Sequence, residues 1–326
     1  MSMFRASRAA TKGGSQDTYV KGALLGLPPE LLLMILELLG AAFFREDIRR
    51  LTVCRTWFTL AHDVFSSEVI ISPHVLHRFI SSVNRKAAAL SKGNLKSVYL
   101  EVDGRGKWES IKWPWLPHPP SQSILNQALT ELVALVGSSK HSISLHVKAW
   151  SVLAGFRHSE SFARDYLCGS TLRDLLLANV LSELVLDTGG IRLLPRDATE
   201  SDFHFCTFIS AQLANLRRLT LRMRRICPVA LTPPSSDMAL DLRHVIVNLS
   251  LFDEVVFETC AAYSTRCGMV RKGDLELKTE IEEQAKALAT QMIHPETVMI
   301  MTHTSPGVTS QSFDILKNKR TELDLM

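Results

Sequence analysis

The residues best suited to chemistry in this sequence are its cysteines and histidines, because thiolates and imidazoles are both nucleophiles and metal ligands. The cysteines are scattered along 326 residues without a C-x-x-C pair, at Cys54, Cys168, Cys206, Cys227, Cys260 and Cys267. Zinc modules and disulfide scaffolds are typically marked by much closer spacing. We therefore predict reduced, buried thiols in a cytoplasmic or nuclear protein.

Two local pairs could hold a metal ion. His74 and His77 are three residues apart, so a helix could present both, but no cysteine or carboxylate at suitable spacing completes the set. Cys260 and Cys267 could pair or share a metal, and nothing else in the sequence supports either possibility. We expect no metal site.

Local signatures of catalysis are missing from the sequence. It contains no Walker loop, no GxGxxG after a predicted strand, no GxSxG and no HExxH. A nucleophilic triad leaves no such signature, because its members are distant along the chain. We expect no catalytic residue and no cofactor, and we predict that the protein is not an enzyme.

Charge gives no argument for nucleic acid as a partner, since the net charge is only +4 with 37 basic and 33 acidic residues. One basic cluster comprises Arg217, Arg218, Arg222, Arg224 and Arg225. Strand alternation would place Arg218, Arg222 and Arg224 on one face. That pattern is usual for a solvated outer face; the alternative is a docking patch for an acidic or phosphorylated segment.

The elements that carry most apolar surface lie between residues 27 and 61. Pro28 and Pro29 suit the first turn of a helix, and Glu30 complements its dipole. From there to Leu39 only Glu37 is charged, so the helix is apolar nearly all round. Gly40 is a suitable place for it to end.

A second helical pattern follows, with apolar positions three or four residues apart at Ile48, Leu51, Cys54, Phe58, Ala61 and Phe65. Together the two patterns carry more apolar surface than so short a segment can bury in its own core. That surplus is typical of a helix pair that binds another protein, and a buried hairpin is the alternative. A membrane span is excluded by the prolines and glutamates that interrupt the first pattern.

The stretch resembles an F-box, a trihelical module of substrate-recruiting proteins. The matching residues are Leu27, Pro28, Glu30, Leu31, Ile35, Leu36, Leu39, Asp47, Ile48, Val53, Cys54, Arg55, Trp57, Leu60 and Ala61. The resemblance implies binding to the Skp-type adaptor of cullin–RING (SCF) ubiquitin ligases. The residues expected to contact the adaptor are Leu27, Pro28, Leu31, Ile35, Leu36, Ile48 and Leu51, while Trp57, Leu60 and Ala61 are expected to hold the module together.

After Ser72, short strand patterns alternate with helical ones. Strands are predicted around 97–102, 143–147, 184–186, 219–221, 245–247 and 298–301, and helices over 121–136, over 205–213 and from Asp274 through Met292. This alternation predicts a mostly parallel sheet. Several strands end an L-x-x-L-x-L frame, as in Leu181, Leu184 and Leu186.

The frames resemble a degenerate, irregular leucine-rich-repeat arc, a common companion of an F-box. Successive strands are roughly 25 to 55 residues apart, more than the 20–29 of regular repeats. The alternative is an ordinary α/β domain with a parallel sheet. Two stretches look like insertions: 104–122, with three tryptophans and four prolines, and 227–241, interpreted as a surface loop.

The predicted organisation has four parts. Residues 1–23 form a disordered polar tail, 24–72 the F-box, 73–304 the repeat-like region and 305–326 a C-terminal tail. The fold class is α+β or α/β. The predicted function is a substrate-recognition subunit of an SCF ligase, with the adaptor, a cullin and an unknown target protein as partners, and with neither nucleic acid nor membrane. An adaptor-binding protein outside a ligase and an α/β enzyme with an F-box-like hairpin are the alternatives.

Overall fold

A computed structural model describes most of the chain. The described residues are 26–72, 95–103, 122–136, 142–150, 167–177, 181–189, 191, 193–194, 204–235, 238–251, 263–267, 274–303 and 309–323. The chain divides into two units between Ser67 and Glu68. The predicted tail 1–23 lies outside the described residues, as does the predicted insertion 104–122 except for Gln122.

The first unit is helical. It contains α1 (Pro29–Glu46), a 3-10 helix (Ile48–Leu51) and α2 (Arg55–Ser66). Each later helix begins at a side-chain cap: Asp47 accepts a hydrogen bond from the Arg49 amide, and the Cys54 sulfur accepts one from the Trp57 amide. Both predicted helical patterns are therefore confirmed.

Helix α1 is interrupted at Gly40. This residue has φ +73° and ψ 170°, and helical residues resume after it up to Glu46. Only glycine enters that backbone region without strain. The predicted helix end at Gly40 is thus a kink followed by a further helical turn.

The first unit has a small core of its own, formed by Leu32, Leu36, Phe44, Leu51, Trp57, Ala61 and Val64. Leu60 packs against it. The prediction that Trp57, Leu60 and Ala61 hold this unit together is confirmed.

The second unit is built on one nine-stranded sheet. Its strands, in spatial order, are β1 (Glu68–Ile71), β2 (Ser97–Asp103), β3 (Ile143–Trp150), β5 (Leu181–Thr188), β7 (Arg218–Met223), β9 (His244–Asn248), β11 (Thr297–His303), β12 (Ser310–Asp314) and β13 (Lys319–Leu323). From β1 to β11 every pair is parallel, and the last two pairs are antiparallel. Spatial order follows chain order throughout.

Two smaller sheets stand apart from the large one. Strands β4 (Leu167–Cys168) and β6 (Leu193–Leu194) form one parallel pair, and β8 (Arg225–Ile226) and β10 (Thr265–Arg266) form the other.

The helices described in the second unit pack on one face of the large sheet. They are α3 (Gln122–Val136), α4 (Gly169–Leu177), α5 (Phe205–Gln212), α6 (Asp274–Gln291) and a 3-10 helix (Pro228–Leu231). Their buried residues share one core with every second strand residue, for instance Leu219 and Leu221 of β7. Parallel neighbours joined in chain order require right-handed crossovers on the same face. Among the described residues, no helix packs on the opposite face.

The predicted α/β class with a mostly parallel sheet is confirmed. All six predicted strands are present, and the predicted stripe of α6 is buried at Leu277, Ile281, Ala285, Leu288 and Met292. Among the described residues, no helix is both long and apolar enough to cross a membrane.

Three predictions about boundaries and loops need correction. The first unit ends at Ser67, not at 72, because Glu68–Ile71 pairs with β2. Residues 305–326 are not a simple tail, because β12 and β13 extend the sheet and Phe313 is buried. Residues 227–241 are not a plain surface loop, because Cys227, Ala230 and Leu231 belong to the core.

Candidate functional site

Helix α1 exposes a stripe of large apolar side chains. Leu31, Met34 and Leu38 follow one another at helical spacing, and Leu38 is 88% exposed. Leu39, Ile48, Val53 and Phe58 add further exposed apolar area in the same unit. Between residues 26 and 67, seven large apolar side chains are exposed and six are buried, a balance that is typical of a protein-binding surface.

The residues predicted to contact an adaptor fall into two groups. Pro28, Leu31 and Ile48 are exposed, the latter two at 47% and 64%, and Leu27 and Ile35 are partly exposed. Leu36 and Leu51 are 0% and 5% exposed and belong to the core of the unit. The prediction is therefore corrected for Leu36 and Leu51, which support the surface from inside.

The second candidate surface is the face of the large sheet opposite the helices that the structure describes. Strand register aligns one row across seven strands: Ile70, Tyr99, His146, Val185, Thr220, Ile246 and Met299. Ile70 is exposed and the other six are half-buried. This row is mostly apolar and aromatic, with His146 and Thr220 as its polar members, so it can contact an apolar partner surface.

Charged side chains border this row and neutralise one another. Arg222 lies 3.3 Å from the Asp187 carboxylate and Arg218 lies 3.4 Å from that of Glu183. Arg222 also donates from Nε to the Ser250 carbonyl. Because these two arginines already face carboxylates, the basic cluster is less available to an acidic segment than the sequence alone indicates.

His146 is the histidine of this row. Its ring stacks on Tyr99 with centroids 4.3 Å apart. Burial lowers the pKa of His146 below its ordinary value, against an opposing contribution from Glu183 at 3.9 Å. Its ring is therefore held mainly in the neutral form on this face.

A serine–histidine pair lies where β9 and β11 end. Ser250 Oγ is 2.8 Å from His303 Nδ1, and the ring of Tyr263 stacks on that of His303 with centroids 3.9 Å apart. Ligands of parallel α/β sheets commonly bind near the carboxyl ends of strands. A serine beside a histidine is one arrangement that can support nucleophilic catalysis.

The most concentrated set of metal-ligating side chains is a cluster of His204, Cys206, Cys227 and Cys267. Their ligand atoms all lie within 4.8 Å of one another. His204 Nε2 is 2.9 Å from Cys227 Sγ, and the sulfurs of Cys206 and Cys267 are 3.7 Å apart. Cys206 and Cys227 are buried, and the other two are partly exposed.

Three local structures bring these ligands together. His204 and Cys206 stand at the start of α5. Strands β8 and β10 pair in parallel with Ile226 opposite Arg266. Cys227 and Cys267 each follow directly, so the same register places them side by side.

Hydrogen bonds among the three thiols shift the pKa values of Cys227 and Cys206 in opposite directions. Bonds with Cys206 and Cys267 lower the pKa of Cys227, since they stabilise its thiolate. Bonds with Cys227 and Cys267, together with burial, raise the pKa of Cys206. The cluster therefore favours one negative charge shared among three sulfurs.

Sequence reasoning missed this cluster. Only the His204-x-Cys206 spacing is local, and that pattern alone is weak. The predicted alternative of Cys260 with Cys267 is untested, because Cys260 lies outside the described residues, as do His74 and His77.

No family model, curated protein or solved structure matches this chain.

Proposed function

We propose that this protein recruits a target protein to an SCF-type ubiquitin ligase. The first unit binds the Skp-type adaptor as an F-box, and through it a cullin. The second unit is an irregular repeat-like arc, and the target binds the sheet face opposite the described helices. The protein itself catalyses no chemical step. It holds a lysine of the target close to a conjugating enzyme that carries ubiquitin.

The observation that carries this proposal is the exposed apolar surface of the first unit. Leu31 and Ile48, both of the F-box pattern, are exposed while their neighbours Leu32, Leu36 and Leu51 form the core. The unit is therefore folded around its own core and still presents a second apolar surface. Burial of two such side chains at an interface stabilises a complex by about 2 kcal/mol each.

The assignment of the arc to target binding has its own support. Strands in chain order with helices on one face are the arrangement that leaves a broad sheet surface for a partner. The aligned row from Ile70 to Met299 is mostly apolar, and the neighbouring Arg218 and Arg222 are paired with carboxylates. These features favour a target with an apolar surface over an acidic or phosphorylated one.

The experiment is a binding measurement between the purified full-length protein and a Skp-type adaptor. We expect the double variant Leu31→Ser/Ile48→Ser to bind roughly a thousandfold more weakly, at about tenfold per 1.4 kcal/mol. Ile293→Ser is the matched control, because Ile293 is a similarly exposed residue of the second unit. It should bind like the wild type.

Circular dichroism must show that the double variant keeps its helices. Failure of the folded wild type to bind the adaptor would overturn the proposal. Binding without a co-purifying cullin would instead favour the alternative of an adaptor-binding protein that works outside a ligase.

A second candidate function rests on Ser250 and His303. Their 2.8 Å contact would suit a hydrolase. Covalent labelling of Ser250 by a fluorophosphonate probe, lost in His303→Ala, would favour this enzyme. Absence of labelling in the folded protein would count against it.

A further inference from the structure

We propose that His204, Cys206, Cys227 and Cys267 bind one zinc ion in a closed structural site. Three thiolates and one imidazole are a ligand set that zinc takes in tetrahedral structural sites. The inference stands on the positions of these four side chains and is independent of the proposed function.

The distances between the ligand atoms are close to those expected around a tetrahedral zinc ion. With zinc–sulfur bonds near 2.3 Å, two sulfur ligands lie about 3.8 Å apart. Cys206 and Cys267 are 3.7 Å apart. The widest pair in the cluster, at 4.8 Å or less, exceeds the ideal edge by only about 1 Å.

The chemistry of the ligands selects the metal. Thiolates with one imidazole favour zinc over magnesium or calcium, which prefer oxygen ligands. All four positions are taken by protein side chains, which leaves no place for a reactive water. The site is therefore structural rather than catalytic.

The segments that meet at the cluster explain what such a site would do. It links the start of α5, the end of β8 and the end of β10. Cys227 lies 21 positions after Cys206, and Cys267 lies 40 positions after Cys227. Strands β8 and β10 have only two residues each. So short a pair has few ladder hydrogen bonds, and a metal would fix it to the helix.

The test begins with metal analysis of the full-length protein, purified under reducing conditions from a zinc-replete culture. We expect one zinc per chain. Cys227→Ser should lose it, whereas Cys54→Ser should keep it. Cys54 is the matched control because it lies in the first unit, where serine can replace it as a helix cap.

If Cys227→Ser does not fold, absorption spectroscopy of the cobalt(II)-substituted wild type tests the site instead. Replacement of zinc by cobalt(II) in the wild type should give the visible bands and thiolate charge-transfer absorption of a tetrahedral site. Cys267→His should retain metal binding and Cys267→Ala should weaken it. A chelator should lower the melting temperature of the wild type.

Two results would overturn the inference. One is a folded wild type that contains no zinc and binds neither zinc nor cobalt(II). The other is a disulfide between Cys206 and Cys267 that persists under these reducing conditions, seen as a loss of two hydrogens in the intact mass and assigned by peptide mapping.

Discussion

The indole Nε1 of Trp57 donates a hydrogen bond to the main-chain carbonyl of Arg50, at 2.6 Å, and so joins α2 to the preceding 3-10 helix. The Arg50 side chain extends the same link to α1. Its guanidinium donates to the Phe43 carbonyl at 2.6 Å and lies over the Phe43 ring. One residue pair thus connects all three helical segments of the first unit.

We predict that Trp57→Phe destabilises the first unit by about 1–3 kcal/mol, because the Arg50 carbonyl loses its buried donor. Trp57→Ala should cost about 3–5 kcal/mol, since it also removes a core ring. Hydrogen exchange over residues 29–66 measures the effect locally. Phe58→Leu, at an exposed neighbouring position, is the control and should change little. Equal exchange in Trp57→Phe and the wild type would contradict the role of this bond.

The kink in α1 gives a second prediction. A β-carbon at Gly40 would meet no atom within 4 Å, so any cost of Gly40→Ala comes from the backbone and not from a clash. The cost should be about 1–3 kcal/mol, because φ +73° with ψ 170° suits only glycine.

Thermal unfolding of the first unit, monitored by hydrogen exchange in α1, measures this loss of stability. Ala42→Ser, an exposed substitution two residues away, is the control. A Gly40→Ala variant as stable as Ala42→Ser would show that the kink can straighten.

Periodicity predicted the sheet well because one face of it is buried. In β7, β9 and β11 every second residue is in the core, and that alternation is visible in the sequence. Strands β12 and β13 were missed because they are mostly polar and lie at the end of the sheet, where β13 is the edge strand. Only Ser312 and Phe313 of β12 are buried, and β13 has no buried residue. With so few apolar positions, no alternation distinguishes them from a tail.

The sequence could not predict either candidate site fully, and the reason differs between them. Helix α1 is apolar nearly all round, so the sequence could not tell that Leu36 faces inward while Leu38 faces outward. The His–Cys cluster depends on the pairing of two-residue strands that are 40 residues apart in sequence. Such a pairing follows from the folded topology and leaves no local pattern.

His146 gives a prediction about pH. Burial lowers its pKa, so the unfolded chain binds a proton more readily than the folded protein does. The contribution of neutral His146 to the free energy of unfolding is fully present above the pKa of the unfolded chain, about 6.5. It is lost as the pH falls through the lower pKa of the folded protein. Stability should therefore rise with pH across that window.

Comparison of His146→Gln with the wild type isolates this contribution. The variant should lose less stability than the wild type between about pH 7 and pH 5, the window that brackets the histidine pKa. An NMR titration of the His146 ring should place its pKa below the ordinary value. A raised value would reverse the sign and show that Glu183 outweighs burial.

The C-terminal strands give the last prediction. Arg320 of β13 binds the mostly buried Glu282 of α6 through two hydrogen bonds, at 2.8 and 3.1 Å, and lies over the Phe313 ring. Deletion of residues 305–326 should therefore lower the melting temperature of the second unit and promote aggregation. It removes buried Phe313, leaves Glu282 without this partner and uncovers the edge of β11.

Deletion of only 324–326, which follow β13, is the matched control and should leave the melting temperature unchanged. The point variant Arg320→Ala separates the ion pair from the strand. It should cost roughly 1 kcal/mol, because Arg320 is half exposed and solvent weakens the pair. If the longer deletion melts like the control, residues 305–326 act as a tail after all, and the antiparallel extension contributes nothing to stability.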